Sequence, residues 1–219
     1  MLASQIYFDI MHIHMQLILA SASEGRKQLL SLFKIPFKVI PSSVDEDKIH
    51  AATPLETIQL RAKLKAESIA QEIINSHWTK DFLILSADSD ADLDGHIVGK
   101  ARNKKEATQI LQNFSGRTHT FYTAVYAIRI NIQKNVARPQ QSFHHVWQTY
   151  DRSLVTMKKL TREDIKLHLK LSNYTKYAGA YALFASPVDL ISKVEGSLTN
   201  VVGLPLDKII PILKENKLI

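Results

Sequence analysis

The segment at residues 81–95, DFLILSADSDADLDG, limits most narrowly what this chain can fold into. Its first half is a continuous apolar run of the kind found in buried strands. Its second half places an aspartate at every second position, namely Asp88, Asp90, Asp92 and Asp94. A strand has a side-chain period of two, so an extended segment would place these carboxylates on one side. The segment therefore predicts a buried strand whose end carries acidic chemistry, closed by a turn at Asp94 and Gly95.

The same aspartates could also begin a calcium-binding loop. Residues 90–95, DADLDG, place acids at the first, third and fifth positions of such a loop and glycine at the sixth. The twelfth position is Ala101, where a bidentate glutamate is required, and an apolar strand pattern precedes the segment instead of a helix. We therefore set the calcium interpretation aside.

Strand and helix patterns alternate through the first half of the chain, and strands cluster after it. Apolar or β-branched runs predict strands at 16–20, 37–40, 81–87, 118–130 and 152–160. Helical patterns lie at 23–33, 53–74, 104–114, 161–171 and 201–216. The polar stretch 131–150 is interpreted as a hairpin or loop. This order predicts an α/β fold: a mixed, twisted sheet with flanking helices, bilobed around a cleft.

The domain organisation is predicted to be simple. Residues 15–219 show no linker, repeat or low-complexity segment, which favours a single domain. The first strand pattern begins only after Met15, and Met11 and Met15 are themselves possible starts. We therefore interpret residues 1–14 as an N-terminal extension or a wrongly assigned start.

Composition excludes several classes of protein. The chain has 219 residues and no cysteine, so it contains neither disulfides nor thiolate zinc sites. It has no apolar run of membrane-spanning length, and we expect a cytoplasmic protein without a membrane partner. The net charge of +7 is spread along the chain without a nucleic-acid-binding motif, so we expect no nucleic-acid partner. The paired histidines at 12, 14, 144 and 145 lack carboxylates at metal-ligand spacing.

A serine-rich turn near the N-terminus is typical of anion binding. LILASASEGRKQLL, residues 17–30, is a strand pattern, a turn and the start of a helix. Free backbone N–H groups and the helix dipole favour an anion there, Ser21 and Ser23 add hydroxyl groups, and Arg26 could bind a phosphate. The alternative is an ordinary serine-capped helix with surface charges.

Six collinear segments resemble the Maf family of nucleoside triphosphate pyrophosphatases. They are LASASEGR at 19–26, PSSVDE at 41–46, KAESIA at 65–70, SADSDADLDGHIVGKA at 86–101, SGRTHTFYTAV at 115–125, and a C-terminal signature within residues 178–206. The resemblance spans residues 16–215. Each segment is modest alone, and their common order is what makes the resemblance specific.

The resemblance implies an activity and a set of site residues. Maf proteins hydrolyse a nucleoside triphosphate to the monophosphate and diphosphate, need Mg²⁺ or Mn²⁺, are often homodimers, and are thought to clear unwanted nucleotides. The resemblance implies that Asp88 accepts a proton and that Glu46 and Asp88 bind the metal. Arg26, Lys65 and Lys100 would neutralise phosphate charge, and Arg117 would make a further contact with the substrate. Taken from the residues alone, Lys65 and Lys100 could equally be solvated surface lysines.

The chain also departs from the family pattern. Glu24 and Gly25 replace the usual proline and arginine before Arg26, and Asp90 and Asp92 replace strand aliphatics. The aspartates would either crowd charge around a metal or mark a strand that packs differently. These departures motivate an alternative, a catalytically degenerate Maf-like protein that binds nucleotides or a partner.

Three further positions bear on the substrate base. In the family, the positions of Gly25, Ser89 and Phe184 separate the base specificities, and this chain matches neither the pyrimidine-type nor the 7-methyl-GTP-type pattern. Phe184 could stack on a base or simply pack in the cleft. The resemblance therefore implies a nucleotide substrate without selecting its base.

Overall fold

A computed structural model describes residues 15–76, 80–131, 143–184 and 186–219. The predicted extension at 1–14 lies outside the described residues. The strands are β1 Met15–Leu19, β2 Phe37–Val39, β3 Asp81–Leu93, β4 His96–Val98, β5 Thr118–Ile130, β6 Phe143–Met157 and β7 Ile191–Glu195. The helices are α1 Glu24–Ser31, α2 Pro54–Asn75, α3 Lys104–Phe114, α4 Arg162–Leu171, α5 Leu198–Val202 and α6 Leu206–Glu215. Short 3₁₀ turns occur at Glu46–Lys48 and Tyr174–Lys176.

The strands form one mixed sheet of seven strands in the order β2-β1-β3-β5-β6-β7, with β4 paired to β3. β1 is parallel to β2 and β3, whereas β4, β5, β6 and β7 join by antiparallel pairing. This architecture confirms the predicted α/β class with a mixed sheet and flanking helices. For 131–150 the hairpin alternative is confirmed where the structure describes the chain, since β6 begins at Phe143 and pairs antiparallel with β5. Cross-strand pairing overrides the polar character of that stretch. Residues 132–142 lie outside the described residues.

The long strand β3 changes neighbours halfway along its length. Its first part pairs with β1 as far as Leu85, and its last part pairs with β4 from Ala91 onward. Between these two points β5 is the only strand among the described residues that pairs with β3. The gap left at the end of β1 is where the serine-rich turn, the 3₁₀ turn Glu46–Lys48 and α2 approach the sheet.

Helix α2 covers one face of the sheet with an apolar stripe. Ile58, Ala62, Ala66, Ile69 and Ile73 are all buried against β1, β3 and β5. Thr53 caps the helix in a capping box with Glu56, and Pro54 occupies the first turn, as the sequence indicated. The helix has 22 residues, yet no helix in the described ranges combines the length and apolar character that would let it cross a membrane.

His119 is buried beside Phe114 and Tyr181, and no charged group of the described residues contributes to the shift of its pKa. Its ring stacks on Phe114 at 4.2 Å, and its Nε2 lies 2.7 Å from the Tyr181 hydroxyl. Nδ1 is buried without a hydrogen-bond partner among the described residues. Burial lowers the pKa of His119 from 6.5 to about 4. The folded protein therefore holds this imidazole neutral at pH values where the unfolded chain takes up a proton.

We predict that His119 makes the fold acid-sensitive. Since the unfolded state binds the proton first, the free energy of unfolding should fall by about 2–3 kcal/mol as the pH drops from 6.5 to 4. His119→Gln keeps a partner for Tyr181 and removes the titration. Urea unfolding of both proteins across this range should give a shallower pH slope for the variant, whatever its absolute stability. Equal slopes would contradict the assignment, and His168 contributes equally to both curves.

Candidate functional site

A buried ion pair between α2 and β3 forms the centre of the site. Lys65 Nζ lies 2.7 Å from Asp88 Oδ1 and 3.2 Å from Glu46 Oε1. The Lys65 and Asp88 side chains are each only 5% exposed. Lys65 is buried, and its ammonium points at the strand. The structure thus brings Glu46, Lys65 and Asp88 together, and a solvated surface lysine is excluded at position 65.

Glu46 completes this cluster from the 3₁₀ turn and stays accessible. Its side chain is 37% exposed. Burial opposes its ionisation, but the Lys65 ammonium, helped by Lys100 and Arg26, outweighs that effect and holds the pKa of the Glu46 carboxyl below its usual range. Glu46 is therefore an ionised carboxylate at the open side of the cluster.

Asp88 uses only one of its two oxygens. Oδ1 accepts the hydrogen bond from Lys65, whereas Oδ2 is buried and has no hydrogen-bond partner among the described residues. Buried polar atoms are rarely left in this state, and such atoms are found where a site awaits a ligand or takes part in chemistry. In this cluster, among the described residues, Asp88 Oδ2 is the buried polar atom without a hydrogen-bond partner.

The structure accounts for Asp90 through a residue that the sequence reasoning missed. Arg61, one helical turn before Lys65 on α2, donates a hydrogen bond of 2.8 Å from Nη1 to Asp90 Oδ2. Burial and the nearby Asp88 carboxylate raise the pKa of Asp90, and Arg61 acts in the opposite direction. The available signal was the spacing of Arg61 and Lys65, four residues apart on one helix, against two aspartates that are two residues apart on one strand.

The structure supports only one of the two explanations for Asp90 and Asp92, which replace aliphatic residues on the strand. Asp90 does add negative charge beside Asp88. The idea that the strand packs differently finds no support, since β3 pairs with β5 without a break from Phe82 to Asp92. Asp92 is used in the hairpin turn, where its Oδ1 accepts a hydrogen bond from the Gly95 backbone N–H at 2.8 Å.

The serine-rich turn holds Arg26 in a fixed position. Arg26 donates from Nε to the Gly203 carbonyl at 2.8 Å, from Nη1 to Ser21 Oγ at 3.0 Å and from Nη2 to Ser89 Oγ at 3.0 Å. Thr123 Oγ1 in turn donates to the Ser89 hydroxyl oxygen at 2.9 Å. Burial lowers the pKa of Arg26, while Asp88 acts against this. A guanidinium keeps its charge even so, and its remaining N–H groups are available to an anion.

Ser23 and Gly25 have structural roles in this turn. The Ser23 hydroxyl caps α1 by accepting from the Arg26 backbone N–H at 3.4 Å, as predicted for the N-cap. A Cβ at Gly25 would lie 3.1 Å from Val202 Cγ1 and 3.3 Å from the Val202 carbonyl oxygen. Glycine at this position therefore allows α1 to pack closely on the end of α5.

The remaining predicted residues are less closely associated with the cluster. Lys100 is exposed, pairs by its backbone with Ala178, and lies near enough to Glu46 to lower the pKa of that carboxyl. Arg117 is not brought to the cluster: it binds Asp94 at 2.6 Å at the hairpin end of β3, roughly 20 Å along the strand from Asp88. Among the described residues Arg117 makes no contact with the cluster, and its role in substrate binding stays a prediction.

Of the two roles considered for Phe184, the structure does not support packing in the cleft. Its side chain is 77% exposed, so it does not fill a cleft. An exposed ring is free to stack, and the role in base recognition stays a prediction.

Comparison with known proteins identifies the family. A sequence model described as Maf-like protein matches residues 16–216. The chain belongs to the Maf family. It is 34% identical over 200 residues to a protein of Caldicellulosiruptor saccharolyticus named dTTP/UTP pyrophosphatase, covering 91% of this chain and 94% of that one. A protein of Aquifex aeolicus with the same name is 33% identical over 205 residues, covering 94% and 97%.

Among solved structures, this Maf-family chain is similar to the Staphylococcus aureus Ham1 protein. The two share 13% sequence identity with a TM-score of 0.46, over 91% of this chain and 96% of that one.

The carboxylates of this Maf-family chain suit a metal that is shared with a substrate. No three His, Cys, Asp or Glu side chains of the described residues are grouped as they would be around a metal ion. The cluster does offer two carboxylates, accessible Glu46 and Asp88 with its unpartnered Oδ2. Mg²⁺ is commonly bound by one or two carboxylates together with substrate phosphates instead of by a complete protein cage. The donor set therefore fits a hard divalent cation held between protein and phosphate.

We predict that Lys65 is essential to stability as well as to the site. Lys65→Met would leave the Asp88 carboxylate buried without its cation, which typically costs about 3–5 kcal/mol. Lys63→Met is the matched control, because Lys63 lies on the same helix with its side chain 44% exposed, and its ion pair with Glu67 spans 3.9 Å. That surface pair is worth about 0–1 kcal/mol. Urea unfolding at pH 7 measures both, and similar losses for the two variants would refute the buried-pair assignment.

Proposed function

We propose that this chain hydrolyses a nucleoside triphosphate to the nucleoside monophosphate and diphosphate, as its relatives named dTTP/UTP pyrophosphatase suggest. The observation that carries the proposal is the unpartnered Oδ2 of buried Asp88, which lies in a cluster with Lys65 and Glu46. The degenerate alternative is not supported, because the relatives that the chain matches over most of its length are named as pyrophosphatases.

The phosphate end of the substrate would meet the serine-rich turn. Arg26 is held by Ser21, Ser89 and Gly203 in one orientation, so binding a phosphate costs it little further ordering. The N-terminus of α1 adds its dipole to the same side. Lys100 is exposed near Glu46 and is suited to a second contact. These positive groups would stabilise the charge that develops on the departing diphosphate.

Asp88 would accept the proton of the attacking water. In the reaction the water oxygen forms a bond to the α-phosphorus. The bond from the α-phosphorus to the α–β bridging oxygen breaks, and a proton of the water passes to a carboxylate. Asp88 Oδ2 has a free lone pair for this proton, while Lys65 fixes Oδ1. The Lys65 ammonium also keeps the cluster from accumulating uncompensated negative charge.

We further propose that Mg²⁺ or Mn²⁺ is held by Glu46 and Asp88 together with the substrate phosphates. When bound, such an ion neutralises phosphate charge and polarises the phosphoryl oxygens. The base is recognised elsewhere, and exposed Phe184 is a candidate stacking surface. By analogy with the family, the role of the protein would be to remove unwanted nucleotides in the cytoplasm.

We predict that Asp88→Asn lowers turnover by roughly 10²–10⁴-fold, the usual worth of a general base. The measurement is diphosphate release from a panel that includes dTTP, UTP and modified triphosphates, with Mg²⁺ or Mn²⁺. Asp92→Asn is the matched control on the same strand, because Asp92 serves the hairpin turn. Absence of release from every triphosphate, with Asp88→Asn indistinguishable from the unchanged protein, would reject the enzyme and return the degenerate alternative.

We also predict that Glu24→Arg raises kcat/KM by about two- to fivefold, because it replaces an anion at the positive end of α1 with a phosphate-binding cation. Glu24 is 66% exposed and 3.7 Å from Lys27, so the change disturbs no buried contact. Glu163→Arg makes the same substitution in the first turn of α4 and should leave kcat/KM unchanged. Unchanged or lower kcat/KM in Glu24→Arg would contradict the role given to that position.

A further inference from the structure

One guanidinium nitrogen lies between two carboxylates and binds only one of them. Arg61 Nη1 is 2.8 Å from Asp90 Oδ2 and 3.9 Å from Asp88 Oδ2. The first distance is a hydrogen bond and the second is beyond hydrogen-bond reach. All three side chains are at most 10% exposed, so solvent does little to weaken the competition between the carboxylates.

Asp88 Oδ2 is the atom that would gain from a different Arg61 position. It is buried and has no hydrogen-bond partner among the described residues, a state that destabilises a carboxylate oxygen. Arg61 is the adjacent donor, and a movement of about 1 Å would bring it within hydrogen-bond distance. Because the guanidinium is rigid and planar, this movement is a tilt of the whole group about its hydrogen bond from Nε to the Ile49 carbonyl, which at 3.2 Å is the longer of its two anchors. In the structure Nη1 is instead bound to Asp90 Oδ2.

We propose that Asp90 is a positioning residue, which holds Arg61 off Asp88 and so keeps Asp88 Oδ2 free to act. The catalytic consequence rests on the proposed function, whereas the geometric one does not. Without Asp90, Arg61 would bind Oδ2 while Lys65 binds Oδ1, and both oxygens of Asp88 would be occupied by protein cations. A carboxylate with both oxygens bound to cations is a weaker base for a water proton and a poorer ligand for a metal ion.

Two variants that differ only at Arg61 test the proposal. Asp90→Leu keeps Arg61 and removes its partner, whereas the double variant Arg61→Leu, Asp90→Leu removes both charges from a buried position that apolar side chains can fill. In a crystal structure of Asp90→Leu, Arg61 is expected to lie about 3 Å from Asp88 Oδ2. An Arg61 that lies no closer to Asp88 than in the unchanged protein would overturn the proposal, whether or not any triphosphate is hydrolysed.

Kinetics and metal binding give the second readout. Asp90→Leu should lower kcat by at least roughly 10²-fold, since the proton acceptor is blocked. It should also weaken Mn²⁺ binding, measured by calorimetry without nucleotide. The double variant should regain most of both, because Asp88 Oδ2 is open again. A merely structural role for Asp90 predicts no such recovery, and a double variant as impaired as Asp90→Leu would overturn the proposal by showing that Asp90 acts directly.

Two further variants guard the interpretation. Asp90→Asn keeps the shape of the side chain and offers Arg61 a neutral, weaker acceptor, so it should show the same movement and a partial loss even if Asp90→Leu does not fold. Asp189→Asn breaks an ion pair with Lys158, and that pair is exposed. It should change neither kcat nor Mn²⁺ affinity. If the unchanged protein hydrolyses no triphosphate but Arg61 still moves in Asp90→Leu, the positioning role stands and the proposed function fails.

Discussion

The buried contact between the Lys65 ammonium and the Asp88 carboxylate is the interaction on which the site depends. It joins the helix that covers the sheet to the strand at the sheet's centre, and through Glu46 it also fixes the 3₁₀ turn. A buried charge is tolerated only when it is paired and hydrogen-bonded. Each of these three residues therefore determines where the other two can lie, and the opening at the end of β1 is where all three meet.

Matching rises along the helix and along the strand explain why a second ion pair lies beside the first. Four residues of α-helix rise about 6 Å, and two residues of strand rise about 6.6 Å. Residues at i and i+4 on α2 can therefore face residues at i and i+2 on β3, and Arg61 pairs with Asp90 as Lys65 pairs with Asp88. Both cations also reach the chain near the 3₁₀ turn, Lys65 at Glu46 and Arg61 at the Ile49 carbonyl.

Sequence patterns predict the parts of this structure that arise locally. The apolar period of α2, its cap at Thr53 and the extended run of aspartates on β3 are visible in single segments, and the structure agrees with each. The site is less predictable where it depends on distant contacts. Arg61 looks like a solvated helix residue until Asp90 faces it, and Gly25 looks like a flexible turn residue until Val202 packs against it.

Arg117 shows the same limit. The resemblance implies a substrate contact for it, whereas the structure places it at the hairpin end of β3, away from the strand's middle. Arg26 and Ser89, 63 positions apart, do meet, because the end of β1 and the middle of β3 border the same opening. Position along a strand decides such contacts, and it can be read only once pairing and register are known.

Charge balance around Asp88 indicates what the site lacks. Three carboxylates, Glu46, Asp88 and Asp90, lie near three cations held by hydrogen bonds, Arg26, Arg61 and Lys65. With all three carboxylates ionised, the charges of these six groups cancel, and exposed Lys100 adds a single positive charge at the edge of the cluster. A triphosphate brings several negative charges that this remainder cannot neutralise. A divalent ion bound at Glu46 and Asp88 would supply the missing charge at the point where phosphate arrives, which is the physical reason to propose one.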